Sequence, residues 1–309
     1  MININEVGFV EKFKISDANV GIIGHGFVGK AMDEFFNGKC TVRVYDKKDG
    51  NAWQLESVID NSEVIFICVN TPMKADGSCH TGFVTEVIRD IHSRVMKTHR
   101  DPSSLVLVIK STVKPGYTKE VQQAFAPLRV CFSPEFLTEK NSVQDMKETN
   151  RIIVGGEKSD ALIVCKYFAD ADPEPLKSIA MHIDPQRVIV QCDSTTAELV
   201  KLYANGMLAA KVMFSNEIYQ ICKSMTVSYD DVRSLACLDE RIGSGHTQVP
   251  GPDGDLGFGG HCFPKDVNSL KALCAELGIQ EKMITAILER NDSLRTNKNW
   301  LEMKGRAVI

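Results

Sequence analysis

From Asn19 onward, short apolar runs alternate with amphipathic stretches: VGIIG, VGKAMDEFF, TVRVYD, VIFICV, a helical segment near Thr85 to Thr98, then LVLVIKST. Runs this short have strand length and the longer stretches have helical period, so the rhythm predicts parallel strands joined by crossover helices. Further strands are expected at Arg129 to Phe132, Arg151 to Val154 and Arg187 to Val190, which carries the sheet to about residue 192. The first 18 residues precede the sheet as an edge strand or arm.

After Asp193 the pattern changes. Ser194 or Thr195 with Glu198 reads as a capping box, and from there to about Ser224 apolar residues recur at helical spacing, with Gly206 the one helix breaker in the run. So long a helix is expected to form a spine or a dimer interface. Helices follow at Tyr229 to Leu238, Pro264 to Leu277 and Glu281 to Met303, and the Gly/Pro-rich stretch GSGHTQVPGPDGDLGFGG before the second of these can cover a ligand. The fold class expected is α/β: an N-terminal Rossmann-like parallel sheet over residues 1–193, then an all-helical central and dimerisation domain over 194–303.

Composition narrows the function. The chain has 309 residues, roughly two domains' worth, and 43% hydrophobic with 25% charged residues marks an ordinary globular protein. No apolar run approaches the roughly 20 residues that span a bilayer, and MININEVGFVEKFK has no secretory apolar core, so a cytoplasmic protein with no membrane partner is expected. Net charge is -4, from 36 basic and 40 acidic residues, which offers no footprint for nucleic acid and favours a small-molecule partner. The ten cysteines lack C-x-x-C spacing and clustered histidines, so they read as reduced thiols and no metal site is expected.

Gly24-His25-Gly26-Phe27-Val28-Gly29 follows an apolar strand and opens a helix, the context that gives a G-x-G-x-x-G match its meaning. Its glycines suit a tight turn, close approach of a pyrophosphate and helix-to-strand packing. Asp46 ends the next strand, where a carboxylate accepts the ribose hydroxyls and repels a 2'-phosphate. NAD is therefore expected over NADP, with Lys47 and Lys48 as the features that pull the other way.

Candidate chemistry gathers at Gly259-Gly260-His261-Cys262-Phe263-Pro264-Lys265-Asp266. Pro264 suits a first helical turn, which puts Cys262 at a helix N-terminus where a thiolate is stabilised and becomes a nucleophile. Asp266, one turn later, can orient a water or take a proton. On the long helix, Lys201 and Asn205 stand four apart on one face and can hold a developing oxyanion. Glu135 and Glu139 stand four apart after a strand, at the sheet edge where α/β ligands sit.

Together the segments GHGFVG, VNTP, KSTVKPG, SPEFLTE, AELVKLYAN, ERIG and GFGGHCFPKD, in this order over about residues 19 to 300, resemble the UDP-glucose/GDP-mannose dehydrogenase family. The resemblance implies oxidation of a nucleotide sugar's C6 primary alcohol to a carboxylate in two NAD-dependent steps, with UDP-glucose to UDP-glucuronate favoured. It implies Cys262 as nucleophile, Asp266 and Thr112 as water positioners, Lys201 and Asn205 as oxyanion stabilisers, and Glu135 and Glu139 in the acid/base and substrate network. Backbone at Phe136 and Leu137 and the turn from Phe258 through Gly259 would hold the sugar. Thr71, Pro72 and Thr112 would line the cofactor, and Arg241 would reach substrate across a homodimer interface. Residues 304–309 resemble the start of a third, nucleotide-binding domain, so a short form is expected. Two other readings stand beside this one. The first is a single-step hydroxyacid dehydrogenase of the 6-phosphogluconate type, which has no use for Cys262; the second is a truncated NAD-binding subunit without catalysis.

Overall fold

The computed structural model describes residues 14–50, 52–171 and 188–309. The chain divides into two compact units: one holds residues up to Thr71 with Thr81–Lys201, the other Pro72–His80 with Leu202–Ile309. Most of the expected N-terminal arm, and residue 187 of the last expected strand, lie outside the described residues; Ile15–Asp17 is a 3-10 turn.

In the first unit, strands and helices alternate: β1 (Asn19–Ile23), α1 (Phe27–Phe36), β2 (Thr41–Tyr45), α2 (Leu55–Asn61), β3 (Val64–Ile67), α3 (Gly82–Thr98), β4 (Val106–Ile109) and α4 (Tyr117–Ala124). They continue with β5 (Arg129–Phe132), α5 (Ser142–Glu148), β6 (Arg151–Gly155), α6 (Lys158–Ala171) and β7 (Val188–Cys192). The seven strands form one sheet in the order β2-β1-β3-β4-β5-β6-β7. The strands from β1 to β5 are parallel, as the sequence rhythm predicts. β6 instead meets β5 antiparallel, through a single pairing of Phe132 with Gly155, and β7 runs parallel to β6.

Successive residues of a strand point to opposite faces, so a strand covered on both sides must be apolar throughout. β3 and β4 are buried at every position. Val64, Phe66, Val106 and Val108 join a core with Phe35, Phe36 and Phe168 from α1 and α6. Ile65, Ile67, Leu107 and Ile109 face the opposite core with Val58 and Ile59 of α2, Val84, Ile88 and Ile91 of α3, and Val121 of α4. Each such side chain contributes about 1.5–3 kcal/mol on burial, which explains why strands of only four residues persist here.

The helix α7 (Ser194–Met225) is continuous over 32 residues. Its start corrects the expected capping box. Asp193, not Ser194 or Thr195, caps it, accepting from the Thr195 amide at 2.9 Å and the Thr196 amide at 3.2 Å. Glu198 is drawn away to accept from the Gly116 amide at 2.5 Å and from the Thr118 amide and hydroxyl at 2.8 and 2.5 Å. Burial raises the Glu198 pKa, and these three donors work against that rise.

The second unit packs the rest of α7 with α8 (Tyr229–Ala236), α9 (Cys262–Glu276) and α10 (Lys282–Leu294). Gly206 lies close to α9, where a Cβ would come 2.8 Å from Leu270 Cδ1. Met213, Phe258 and Val267 form one small core, and Cys222, Tyr229 and Val249 another. α10 ends at Leu294, short of the expected Met303. Arg295 turns extended and buries its guanidinium against Asp253 and Asp255, while Asp255 Oδ2 also accepts from the Thr296 and Asn297 amides at 3.0 and 2.8 Å. Those buried charge contacts outweigh the helical period of the segment. The Asn297 amide foremost, with the Leu256 and Thr296 amides and the Thr296 hydroxyl, holds the Asp255 carboxyl at about 2. The Gly/Pro-rich loop is thereby anchored, with the Gly257 amide on Asn216 Oδ1 at 3.1 Å and the Phe258 amide on Asn291 Oδ1 at 2.7 Å. No helix among the described residues is long and apolar enough to cross a membrane.

Candidate active site

Because β1 to β5 are parallel, the residues that follow them (Gly24, Asp46, Cys68, Lys110 and Ser133) come to one sheet edge. The chain leaves β1 for β2 on one side and returns to β3 on the other, which opens a crevice at that edge where dinucleotides bind. The three motif glycines serve three different needs. Gly24 has φ 95°, and a Cβ there would meet the Cys68 carbonyl oxygen at 2.8 Å. Gly29 packs α1 onto the turn, where a Cβ would lie 1.9 Å from the Gly24 oxygen. Gly26 faces open space, with no atom within 4 Å of a Cβ, and so leaves room for a phosphate against the backbone.

Phe27 and Val28 begin α1, whose first turn carries no acidic residue to compete with an anion for the amides. Asp46 Oδ2 accepts from the His25 amide at 2.7 Å and Oδ1 from the Lys48 amide at 2.8 Å. Burial works to raise its pKa, but these amides and the nearby cationic side chains hold the carboxyl below its ordinary value. Of the two cations that could favour a 2'-phosphate, Lys47 is paired with Glu86 at 2.8 Å. These residues fit NAD: an open glycine over a helix N-terminus, and a fixed carboxylate where the ribose hydroxyls lie. Thr71 and Pro72, beyond the end of β3, are both buried.

In the second unit Cys262 is the first residue of α9, half-buried, with Pro264 in the first turn as its position in the sequence predicts. Asp266 lies one turn on and is fully buried. Its Oδ1 takes the Lys265 ammonium and its Oδ2 accepts from Asn205 Nδ2 at 2.5 Å. Burial opposes the Lys265 charge, but Asp266, together with the thiol groups of Cys79 and Cys262, raises its pKa above the ordinary lysine value. Asp266 and Asn205, which the sequence assigns to separate tasks, are thus directly bonded.

In the first unit Lys201 is buried and donates to the Glu135 carbonyl and to Glu135 Oε1, each at 2.7 Å. Glu135 Oε2 accepts from the Leu137 amide at 2.7 Å. Phe136 lies between two cations, 4.0 Å from the Arg151 guanidinium and 5.8 Å from Lys201 Nζ. Glu139 is exposed, because residues 133–138 form no helix and spacing of four therefore does not put it beside the buried Glu135. Thr112 is half-buried in the segment after β4. Arg241 is exposed and pairs with Asp239 at 2.6 Å. Phe258 is buried against Phe263, edge to face at 5.8 Å, and Gly259 leaves room for the Arg295 guanidinium, which a Cβ would meet at 2.3 Å.

Two buried lysines among the described residues carry no role in the sequence reading. Lys265 is one. Lys110 is the other, donating to Ser133 Oγ at 3.2 Å and the Pro134 carbonyl at 3.1 Å. Burial pulls its ammonium down to about 8; Cys68 and Glu135 work upward, and Lys201 adds to the fall. A lysine ending the apolar run LVLVI is the sequence signal for such a site, since nothing in that pattern points it to solvent.

Residues 44–168 match the NAD binding domain of the UDP-glucose/GDP-mannose dehydrogenase family, and residues 195–293 match its central domain. A UDP-glucose 6-dehydrogenase of Rickettsia bellii is 32% identical over 241 residues, which is 75% of this chain and 50% of that protein. Another, from Streptococcus pneumoniae, is 34% identical over 195 residues, 63% of this chain and 46% of that protein. The chain thus spans about half the length of these relatives. Among solved structures, a UDP-glucose dehydrogenase of Pyrobaculum islandicum superposes with a TM-score of 0.76 at 25% identity, over 90% of this chain and 69% of that one. With its glycine turn, its paired domains and its cysteine at a helix start, the chain belongs to the UDP-glucose/GDP-mannose dehydrogenase family and carries that family's NAD-binding and central domains.

Proposed function

We propose that this chain oxidises the C6 primary alcohol of a nucleotide sugar to a carboxylate in two steps through Cys262, with UDP-glucose to UDP-glucuronate the favoured case. The observation that carries this reading is Cys262 at the first residue of α9, with the buried Asp266 fixed by Lys265 and Asn205 one turn along. Bound NAD supplies the hydride acceptor for both oxidations. Gly24, Gly26 and Gly29, the amides of Phe27 and Val28, and Asp46 hold it, with Thr71, Pro72 and Thr112 beside it. An aldehyde lacks a readily lost hydride, whereas its thiohemiacetal has one, and loss of that hydride leaves a thioester that water opens.

Each residue then has a task. The Cys262 sulfur adds to the aldehyde carbon and keeps the intermediate tethered. Lys201, whose charge Glu135 balances, and Asn205 stabilise the oxyanion that forms. Asp266 and Thr112 position the water, and Glu135 and Glu139 serve proton transfer and substrate binding. Phe136, Leu137, Phe258 and Gly259 hold the sugar. The purified chain with excess nucleotide sugar is expected to yield two NADH per sugar, with NAD preferred to NADP. One NADH per substrate would replace this reading with a single-step alcohol oxidation.

The partner is a second copy of the chain. Tyr203, Met207, Phe214, Ile221 and Met225 are each more than half exposed along α7, spaced so that they share one stripe of the helix. So much contiguous apolar surface marks an interface, and Arg241 is the residue proposed to cross it toward substrate. Sedimentation at tens of micromolar protein is expected to show a dimer, and Phe214→Glu is expected to shift it toward monomer. A wild-type monomer would refute the interface. We place the protein in the cytoplasm, where NAD and nucleotide sugars occur together and thiols stay reduced.

A further inference from the structure

We propose that His261 is the proton acceptor for the Cys262 thiol, so that the nucleophile is an imidazole–thiol pair of adjacent residues. The inference rests on the function proposed above, in which the thiolate is the attacking form. His261 Nε2 lies 3.3 Å from Cys262 Sγ. His261 occupies the N-cap position of α9 in a helical conformation and makes no side-chain capping bond. His261 is buried, 8% exposed, while Cys262 is half-buried. The base is shielded from water, and the sulfur is the more open member of the pair. With the ring proton on Nδ1, Nε2 accepts the S–H.

The surroundings stabilise the thiolate member of the pair. The start of α9 places its unpaired amides and positive dipole end at the sulfur. Charged and titratable groups beside the pair include Lys265 and Asp266 on α9 and Cys79 in the Pro72–His80 segment; Arg295, with its partners Asp253 and Asp255, lies against Gly259, two residues before His261. His246 packs on Phe263, ring centroids 5.6 Å apart. Lys265 is the cation coupled to Cys262, and its own partner is Asp266.

The step balances without any oxidant. The S–H bond breaks and its proton passes to Nε2. The sulfur electron pair forms the C–S bond to the aldehyde carbon, the C=O π pair moves to oxygen, and the proton returns from Nε2 to that oxygen. The net change is addition of S–H across C=O to give the thiohemiacetal. His261 thus touches the reacting atom and is a catalytic residue.

The test reads the thiol without sugar or cofactor. Iodoacetamide labelling of Cys262, followed by peptide mapping in the full chain, is measured from pH 5 to 9 for wild type, His261→Asn and His261→Gln. Wild type is expected to label near its plateau rate by about pH 7, and the variants to need at least about one pH unit more, a roughly tenfold loss of rate at pH 6.5. Superimposable profiles overturn the proposal. Should both variants fail to fold, thiolate absorbance at 240 nm in wild type minus Cys262→Ser decides. A band titrating below about 7.5 supports the pair, and one appearing only near the ordinary thiol value of about 8.5 refutes it. Labelling that shifts while no nucleotide sugar is oxidised would sink the function and keep the pair. Two NADH per sugar with unshifted labelling would do the opposite.

Discussion

Cys262→Ser is expected to lower the overall oxidation at least about a hundredfold. An alkoxide forms far less readily than a thiolate at neutral pH, and the ester it would make opens more slowly than a thioester. α9 begins at Cys262 and the serine hydroxyl suits a helix start, so the fold should tolerate the change. Loss of rate alone is weak proof, because any disruption of a site causes it. The sharper expectation is that Cys262→Ser, given substrate and NAD, accumulates a covalent adduct or turns over very slowly. Lys201→Ala, by contrast, should slow turnover while leaving Cys262 open to alkylation. Mass spectrometry of the intact chain distinguishes these outcomes. Near-native production of two NADH by Cys262→Ser would show that the sulfur forms no intermediate.

Asp266→Ala is expected to cost both stability and rate. The carboxylate is fully buried between the Lys265 ammonium and the Asn205 amide, and its removal leaves a buried cation and a buried donor without their partner. Breaking such a pair from one side typically costs about 3–5 kcal/mol. Replacing both charges separates structure from chemistry. Lys265→Met with Asp266→Leu is expected to recover most of the stability lost in Asp266→Ala, since apolar residues of similar volume satisfy a buried site, yet to remain inactive. Denaturant unfolding and NADH production measured on the same samples test this. A double variant that regains activity would remove Asp266 from the reaction.

What the sequence makes legible is local. The glycine turn, the carboxylate after β2 and the cysteine before Pro264 each depend on a few consecutive residues, and each stands where the pattern puts it. Two departures from the expected pattern involve partners distant in the chain. Glu198 abandons its capping box for amides 80 and 82 residues away. Arg295 leaves a helical register to reach Asp253 and Asp255, about forty positions back. His261 escaped notice for another reason: adjacent side chains usually diverge, and only the backbone conformation at the start of α9 turns this ring back to its neighbour's sulfur.

The single rung between Phe132 and Gly155 has a mechanical meaning. A sheet normally transmits load and cooperativity through its ladder, and here the ladder is nearly cut between β5 and β6. What bridges the seam is side-chain packing: Val154 and Ile152 share a core with Phe66 and Phe168. Close approach adds to it, since a Cβ on Gly156 would meet Cys131 Sγ at 2.7 Å. Packing is short-ranged and yields once neighbours separate by an ångström, whereas a ladder yields rung by rung. Under heat or denaturant, the strands β6 and β7 are expected to detach first, as one piece, from a five-stranded remainder that keeps the glycine turn and Asp46, and amides of β6 that resist hydrogen exchange as long as those of β3 would refute this.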